Sequence, residues 1–401
     1  MTASPESDGA GHSAAPADYL DRVKALAPRI TASIEEIERD RRLPQALVDA
    51  MIEAGLFRLL LPRPLDGAEV DPLTFMRVIE EIAKLDASTA WCLCQTSVAA
   101  MIAAFLPADA AWEIFGRDRR AVLAWGAGPG GRAVPAQGGY RVTGTWLFAS
   151  GGHHATWLGG HCLVHEPDGS PRRAADGVPL MRTMLFPASS AAMGDNWHVI
   201  GLKGTGSDAY SVTDIFVPEA HSVARDDPSE RRHDAPLYYL RTNNMFSCGF
   251  ASLALGVARS MLDSFVALAM EKSPRGAKQT MRDSAVVQSD VGELEARLRG
   301  ARMYLKGTLA EIWRSGARSS ELTLDERMAI RLMATRAIQE ARAVTDAAYH
   351  AAGATAIFAG NPFERRFRDM NAIAQQVQGR RSHFETVGKF LLGLEADTTF
   401  L

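Results

Sequence analysis

The chain has 401 residues, 47% of them hydrophobic, with a formal net charge of −3. That is enough apolar material for two or three domains. A charge so near balance, with Lys and Arg interspersed among Asp and Glu, gives no reason to expect a nucleic-acid partner. Four scattered cysteines, Cys92, Cys94, Cys162 and Cys248, make no disulfide framework. The C-x-C pair has no second pair or nearby histidines for a metal, so reduced, buried thiols and no metal are expected.

The opening "MTASPESDGAGHSAAPADYL" has neither the basic nor the apolar region of a signal peptide. Its Ser, Pro, Gly and Ala content predicts a disordered tail over 1–18. No uninterrupted apolar run approaches the ~20 residues that span a bilayer. A cytoplasmic protein without a membrane partner is expected.

From about Tyr19 the apolar spacing is helical. "LPQALVDAMIEAGLFRLLLP" stops at Pro62, and "DPLTFMRVIEEIAKLDASTAWCLCQTSVAAMIAAFL" reads as an amphipathic helix followed by one apolar all round, hence buried. Near Ala121 the character changes. "YRVTGTWLF" alternates as a strand does, and "WLGGHCLVHE", "LMRTMLFPA", "WHVIGLKGTGS" and "YSVTDIFVPEAHSV" read as further short strands. After the charged linker "RDDPSERRHDAP" the helical period returns, predicting helices over 238–271, 279–317, 324–356 and 365–392, a four-helix bundle. The expected domains are therefore 19–120 helical, 121–235 β and 236–401 helical, a mainly α chain with a central β domain.

This order resembles the acyl-CoA dehydrogenase fold over residues 20 to 395. The features that carry it are "GLKGTGSDAYSVTDIFVP", "LALGVARSML" and "AAYHAAGATAIF…NPFERRFRDM". The resemblance implies an N-terminal helical domain, a β-barrel-like middle domain, a C-terminal four-helix bundle, a flavin between β domain and bundle, and a homotetramer. Within the superfamily, Trp146, Phe148, Ser150 and Gly151 match the W-x-F-x-S-G segment of reduced-flavin-dependent monooxygenases. Those enzymes take FADH2 or FMNH2 from a separate NAD(P)H:flavin reductase and use O2, carried at the flavin C4a position. "QQVQGRRSHFETVGKFLLG" is similar to the indole-3-acetate monooxygenase branch, which implies a small aromatic substrate of indole type.

Dehydrogenation of an acyl-CoA needs a carboxylate base. Relatives that do it place a Glu either before a glycine in the last bundle region, here Gln378, or in the first bundle helix. Residues 235–262 contain no Asp or Glu. Both positions lack a base, and an acyl-CoA dehydrogenase or oxidase with a displaced base, an amino-sugar N-oxygenase and a flavin-free binding scaffold stand as the alternatives. Many relatives carry a His seven residues after the Asp of the Arg-Asp pair. Gln376 stands there, so Ser150 and Gln376 are expected as neutral hydrogen-bonding groups beside the flavin.

Other candidates each have a plain structural reading beside the functional one. Arg275 and Gln288 resemble a flavin-phosphate site contributed across a subunit interface, or are a solvated helix end. Trp91, Trp125 and Trp146 pack on the flavin ring or are core aromatics, and Gly126, in "GAGPGG", lies in the loop passing the ring. Arg368 is a cofactor-site residue or forms a structural ion pair with Asp369. Arg241, Asn244 and His153 are candidate substrate contacts, with two adjacent histidines in a strand expected on opposite faces.

Overall fold

The computed structural model describes residues 16–174, 177–316 and 321–401. Helices open the chain: α1 (Pro16–Ala32), α2 (Ile34–Asp40), α3 (Gln45–Glu53), α4 (Pro72–Leu85), α5 (Ala87–Ala100) and the short α6 (Ala108–Ala111). Most of the expected tail lies outside the described residues, and its last three residues already belong to α1. Two side-chain caps set the α4–α5 pair. Asp71 accepts the Thr74 N–H at 3.0 Å, with Pro72 as the first helical residue. Asp86 accepts the Thr89 N–H at 2.7 Å. Both satisfy N–H groups that a helix start leaves unpaired. α5, as its all-apolar sequence requires, is buried along nearly its whole length.

The β strands follow: β1 (Leu123–Trp125), β2 (Gly131–Ala136), β3 (Gly139–Trp146), β4 (Trp157–Val164), β5 (Met181–Pro187), β6 (Ala192–Met193), β7 (Tyr210–Pro218) and β8 (Ser222–Val223). They form one eight-stranded sheet in the order β6-β7-β3-β2-β4-β5-β8, with β1 parallel to β4. The path has ends at β6 and β8. Trp146 from β3, Phe186 from β5 and Tyr210 from β7 pack together on its inner face, Trp146 stacked on Tyr210 at 5.2 Å.

One expected strand is absent. "WHVIGLKGTGS" is a loop, with Leu202 in the left-handed region at φ 55. Side chains satisfy its backbone instead of a ladder. The Asn196 and Trp197 N–H groups donate to Asp208 at 2.6 and 2.7 Å.

The bundle comprises α7 (Thr242–Glu271), α8 (Ala285–Gly316), α9 (Leu324–Ala352), α10 (Pro362–Gln375) and α11 (Ser382–Leu391). A side chain at Gly256 would meet the Glu80 carbonyl of α4 at 2.4 Å, so the glycine of "LALG" lets α7 lie against the N-terminal helices. The expected continuous helix over 365–392 is broken between α10 and α11. Gln376 has extended backbone, φ −66 and ψ 152, and its side chain accepts the Gln378 N–H at 2.7 Å. The amide stabilises a turn, and the helix stops.

By length and composition, Ala87–Phe105 and Thr242–Glu271 would suffice to cross a membrane. Both run through the protein core. All four cysteines are buried and unbridged, and burial pushes the Cys248 thiol up to about 12.

Candidate active site

The end of β3, the loop 196–208, α5 and the start of α7 meet around Ser150. The Trp91 indole N–H, from α5, donates to the Ser150 hydroxyl at 2.9 Å. Ser150 lies 2.7 Å from the Ser207 hydroxyl, which lies 2.7 Å from the Thr205 hydroxyl. Thr205 donates to the Leu202 carbonyl at 2.8 Å. Leu202 is pinned from the other side, its N–H donating to Asp369 of α10 at 2.6 Å.

An aromatic wall runs from Ser150 towards the sheet. Trp91 stacks on Phe250 at 4.1 Å, Phe250 on Phe246 at 5.8 Å, and Phe246 meets Trp125 edge-on at 6.5 Å. Trp125 lies 5.1 Å from His161, whose ring burial holds well below its ordinary pKa, hence neutral. Offset and edge-on ring pairs of this kind add ~0.5–1.5 kcal/mol each beyond their burial. Trp91 and Trp125, which the sequence singled out, thus share one wall. Phe246 and Phe250 were missed, since an apolar helix offers no mark of which rings face a site.

Trp146 does not belong to it. It is wholly enclosed in the β core and donates its N–H to the His161 carbonyl at 2.9 Å, so it has no face for a ligand. The neighbours Leu147 and Phe148 are exposed, Phe148 at φ 62 and edge-on to Trp197 at 6.0 Å. Gly126 packs against this segment, where a side chain would meet the Leu147 carbonyl at 2.6 Å. An exposed apolar ledge beside a buried hydroxyl pair suits a flat ring system with one polar edge, as a flavin has.

Gln378 occupies the place of the dehydrogenase base and faces inward. Its side-chain oxygen accepts from the Ser247 hydroxyl at 2.7 Å and from the buried Arg331 guanidinium. Gln376, whose oxygen is spent on the turn, keeps its NH2 as a donor. Arg331 and Ser247 were invisible in the sequence because their partner lies over a hundred residues away or in another helix.

The Arg368–Asp369 ion pair is replaced by two separate anchors. Neighbours on a helix point about 100° apart. Arg368 binds Glu364 at 2.7 Å, Glu38 at 3.1 Å and the Ile200 carbonyl, while Asp369 turns inward to Leu202. Burial holds the Asp369 carboxyl up to about 7.

His153 and His154 sit in a helical turn, Gly152–His154, not a strand. His153 bonds Asp208 at 2.8 Å; burial lowers His154 to about 4, helped by His153 and Arg42. Arg241 precedes the first residue of α7 and lines a small cleft with Asp226, Tyr238 and Tyr239. Asn244 is spent on the helix start, its side-chain oxygen accepting the Arg241 N–H at 3.3 Å. Arg275 is exposed in the connection from α7 to α8, and Gln288, also exposed, donates to the Arg282 carbonyl at 2.9 Å. Neither is brought near Ser150 by its own element.

Residues 18–108 match the family described as acyl-CoA dehydrogenase, N-terminal domain, and residues 248–379 match acyl-CoA dehydrogenase, C-terminal domain. The chain is 27% identical over 365 residues to indole-3-acetate monooxygenase of Pseudomonas putida, covering 91% of each chain. It is 28% identical to the flavin-dependent monooxygenase oxygenase subunit HsaA of Rhodococcus jostii, over 88% of this chain and 92% of that one. XiaF of Streptomyces, solved in complex with FADH2 and glycerol, superposes with a TM-score of 0.87 at 26% identity, over 96% and 98% of the two chains. The chain therefore belongs to the acyl-CoA dehydrogenase family, on the branch whose members are oxygenase components of flavin-dependent monooxygenases.

Proposed function

We propose that the protein oxygenates an aromatic or heteroaromatic small molecule, indole-type by preference, with reduced flavin from a separate NAD(P)H:flavin reductase. The observation that carries the reading is Gln378: where a dehydrogenase needs a carboxylate, this chain has an amide tied to Ser247 and Arg331. Bound reduced flavin supplies the electrons with which one atom of O2 is transferred to substrate. Ser150 would be the hydroxyl that meets a polar edge of the ring, and the Gln376 NH2 would serve as a neutral donor that does not titrate. Trp91, Phe250, Phe246 and Trp125 keep water from the reacting face, which suppresses loss of oxygen as hydrogen peroxide.

Arg241, in its cleft with Asp226, and His153, bonded to Asp208, would be the polar groups for a substituent of the substrate to meet. Asn244 keeps only its helix-start bond. Arg275 and Gln288 would take the flavin phosphates across an interface of a homotetramer, and Arg368 would act by holding the 196–208 loop through the Ile200 carbonyl. Exposed apolar residues on α8 and around the end of α11, Val286, Met303, Leu391 and Leu392, support an oligomer. The cytoplasm, where reduced nicotinamide cofactors are made, is the compartment this chemistry needs.

Turnover of indole and indole-3-acetate with a flavin reductase under isotopically labelled O2 tests the reading. One labelled oxygen per product is expected. Label-free product, or oxygen taken from water, would contradict it.

A further inference from the structure

The hydroxyl chain from Trp91 to Leu202 has one possible hydrogen-bond direction. The Leu202 carbonyl cannot donate, so the single Thr205 hydroxyl hydrogen is committed to it at 2.8 Å. The 2.7 Å contact between Thr205 and Ser207 must then be made by the Ser207 hydrogen. By the same step, the 2.7 Å contact between Ser207 and Ser150 uses the Ser150 hydrogen. The indole N–H of Trp91 can only donate, and it takes one Ser150 lone pair at 2.9 Å. A hydroxyl has one hydrogen and two lone pairs. Ser150 therefore has only one thing left to offer a ligand, its second lone pair. Its surface is nearly closed, 5% exposed, so water does not readily re-satisfy it.

Both ends of the chain are fixed. Trp91 is clamped by stacking on Phe250. Leu202 is held by Asp369 through its N–H, in a left-handed backbone conformation at φ 55. Reversing the direction would leave the Thr205 hydroxyl oxygen and the Leu202 carbonyl oxygen facing each other at 2.8 Å with no hydrogen between them, although that carbonyl also accepts from the Trp197 indole N–H at 3.1 Å.

We propose that Ser207 and Thr205 are positioning residues that fix the Ser150 hydroxyl as an acceptor, so that the site takes reduced in preference to oxidised flavin. Reduced flavin carries a hydrogen on ring nitrogen N5 and can donate to Ser150. Oxidised flavin presents a lone pair there, which faces another lone pair. The inference rests on the reading that a flavin reaches Ser150, and adds how two residues away from the ring select its redox state. Selection of this kind releases spent cofactor and admits the next reduced one.

The test compares affinities for the two redox states in the full-length protein. Wild type, Ser207→Ala, Thr205→Val and Thr205→Ser are titrated with oxidised FAD and FMN in air, and with the photoreduced flavins under argon. Wild type is expected to bind the reduced form more tightly. Ser207→Ala and Thr205→Val free the Ser150 hydrogen to donate outward, and both should narrow the preference by about tenfold, the worth of one hydrogen bond. The gain should appear as tighter binding of oxidised flavin. Thr205→Ser keeps the hydroxyl and should keep the wild-type ratio, which separates direction of bonding from packing. Thr205→Val differs little in shape from the parent and decides the matter if Ser207→Ala does not fold. Equal affinity of wild type for both states, or an unchanged ratio in Thr205→Val, overturns the inference while leaving a flavin site in place. Binding of neither state by wild type overturns the flavin reading itself, and the inference with it.

Discussion

The hydroxyl of Ser247 on α7 donates to the side-chain oxygen of Gln378 at 2.7 Å, joining the first bundle helix to the turn between α10 and α11. Arg331 of α9 donates to the same oxygen, so one amide ties together three elements of the bundle. Gln378 is thereby a buried anchor for a cation, its side-chain oxygen committed to Ser247 and Arg331.

Gln378→Glu should fold, because a carboxylate in that place pairs with Arg331, and it should not gain acyl-CoA dehydrogenase activity. Loss of a general base typically costs ~10²–10⁴-fold, and a base held in an ion pair is not recovered. Gln378→Leu should lose about 1.5–3 kcal/mol in urea unfolding, since a hydrogen bond to a charged group goes. Rapid reduction of bound flavin by an acyl-CoA in the glutamate variant would contradict the assignment.

Ser150→Ala removes a group with two buried partners, Trp91 and Ser207. The expected outcome is a folded protein that consumes O2 with reduced flavin but returns more of it as hydrogen peroxide. The check is the ratio of peroxide to product per flavin oxidised. An unchanged ratio would make Ser150 a packing residue only.

Asp369 makes stability depend on pH. Its carboxyl is raised from 3.8 to about 7, mainly by burial, with Asp86 and Glu38 adding to the rise. The folded protein thus keeps a proton that the unfolded chain releases. Its contribution to stability is fully present below about pH 4 and is lost as pH rises through about 7. Asp369→Asn, which can still accept the Leu202 N–H, should flatten that decline and melt higher than wild type under mildly alkaline conditions. Parallel melting curves for the two proteins across this range would refute the assignment.

Much of the architecture was legible because period and capping agree. Asp71-Pro72 and the continuous apolar run of α5 announce those elements outright. "WHVIGLKGTGS" misleads because its apolar residues alternate, while its backbone bonds go to Asp208 and Asp369, which no local pattern reveals. The break at Gln376 is hidden for the same reason: the side chain that caps the turn is a residue with good helix propensity. At the site, Ser150 and Trp91 stood out by motif and rarity. Ser207 and Thr205 did not, since their importance lies in the direction of a hydrogen-bond chain that exists only once the loop is folded against α5.

Rapid mixing of the protein and reduced flavin with O2 tests the central claim most directly. Absorbance should pass through a transient distinct from both reduced and oxidised flavin before the oxidised spectrum appears, and added indole-type substrate should shorten its life. Oxidation at the rate of free reduced flavin, with no transient, would contradict an oxygenase.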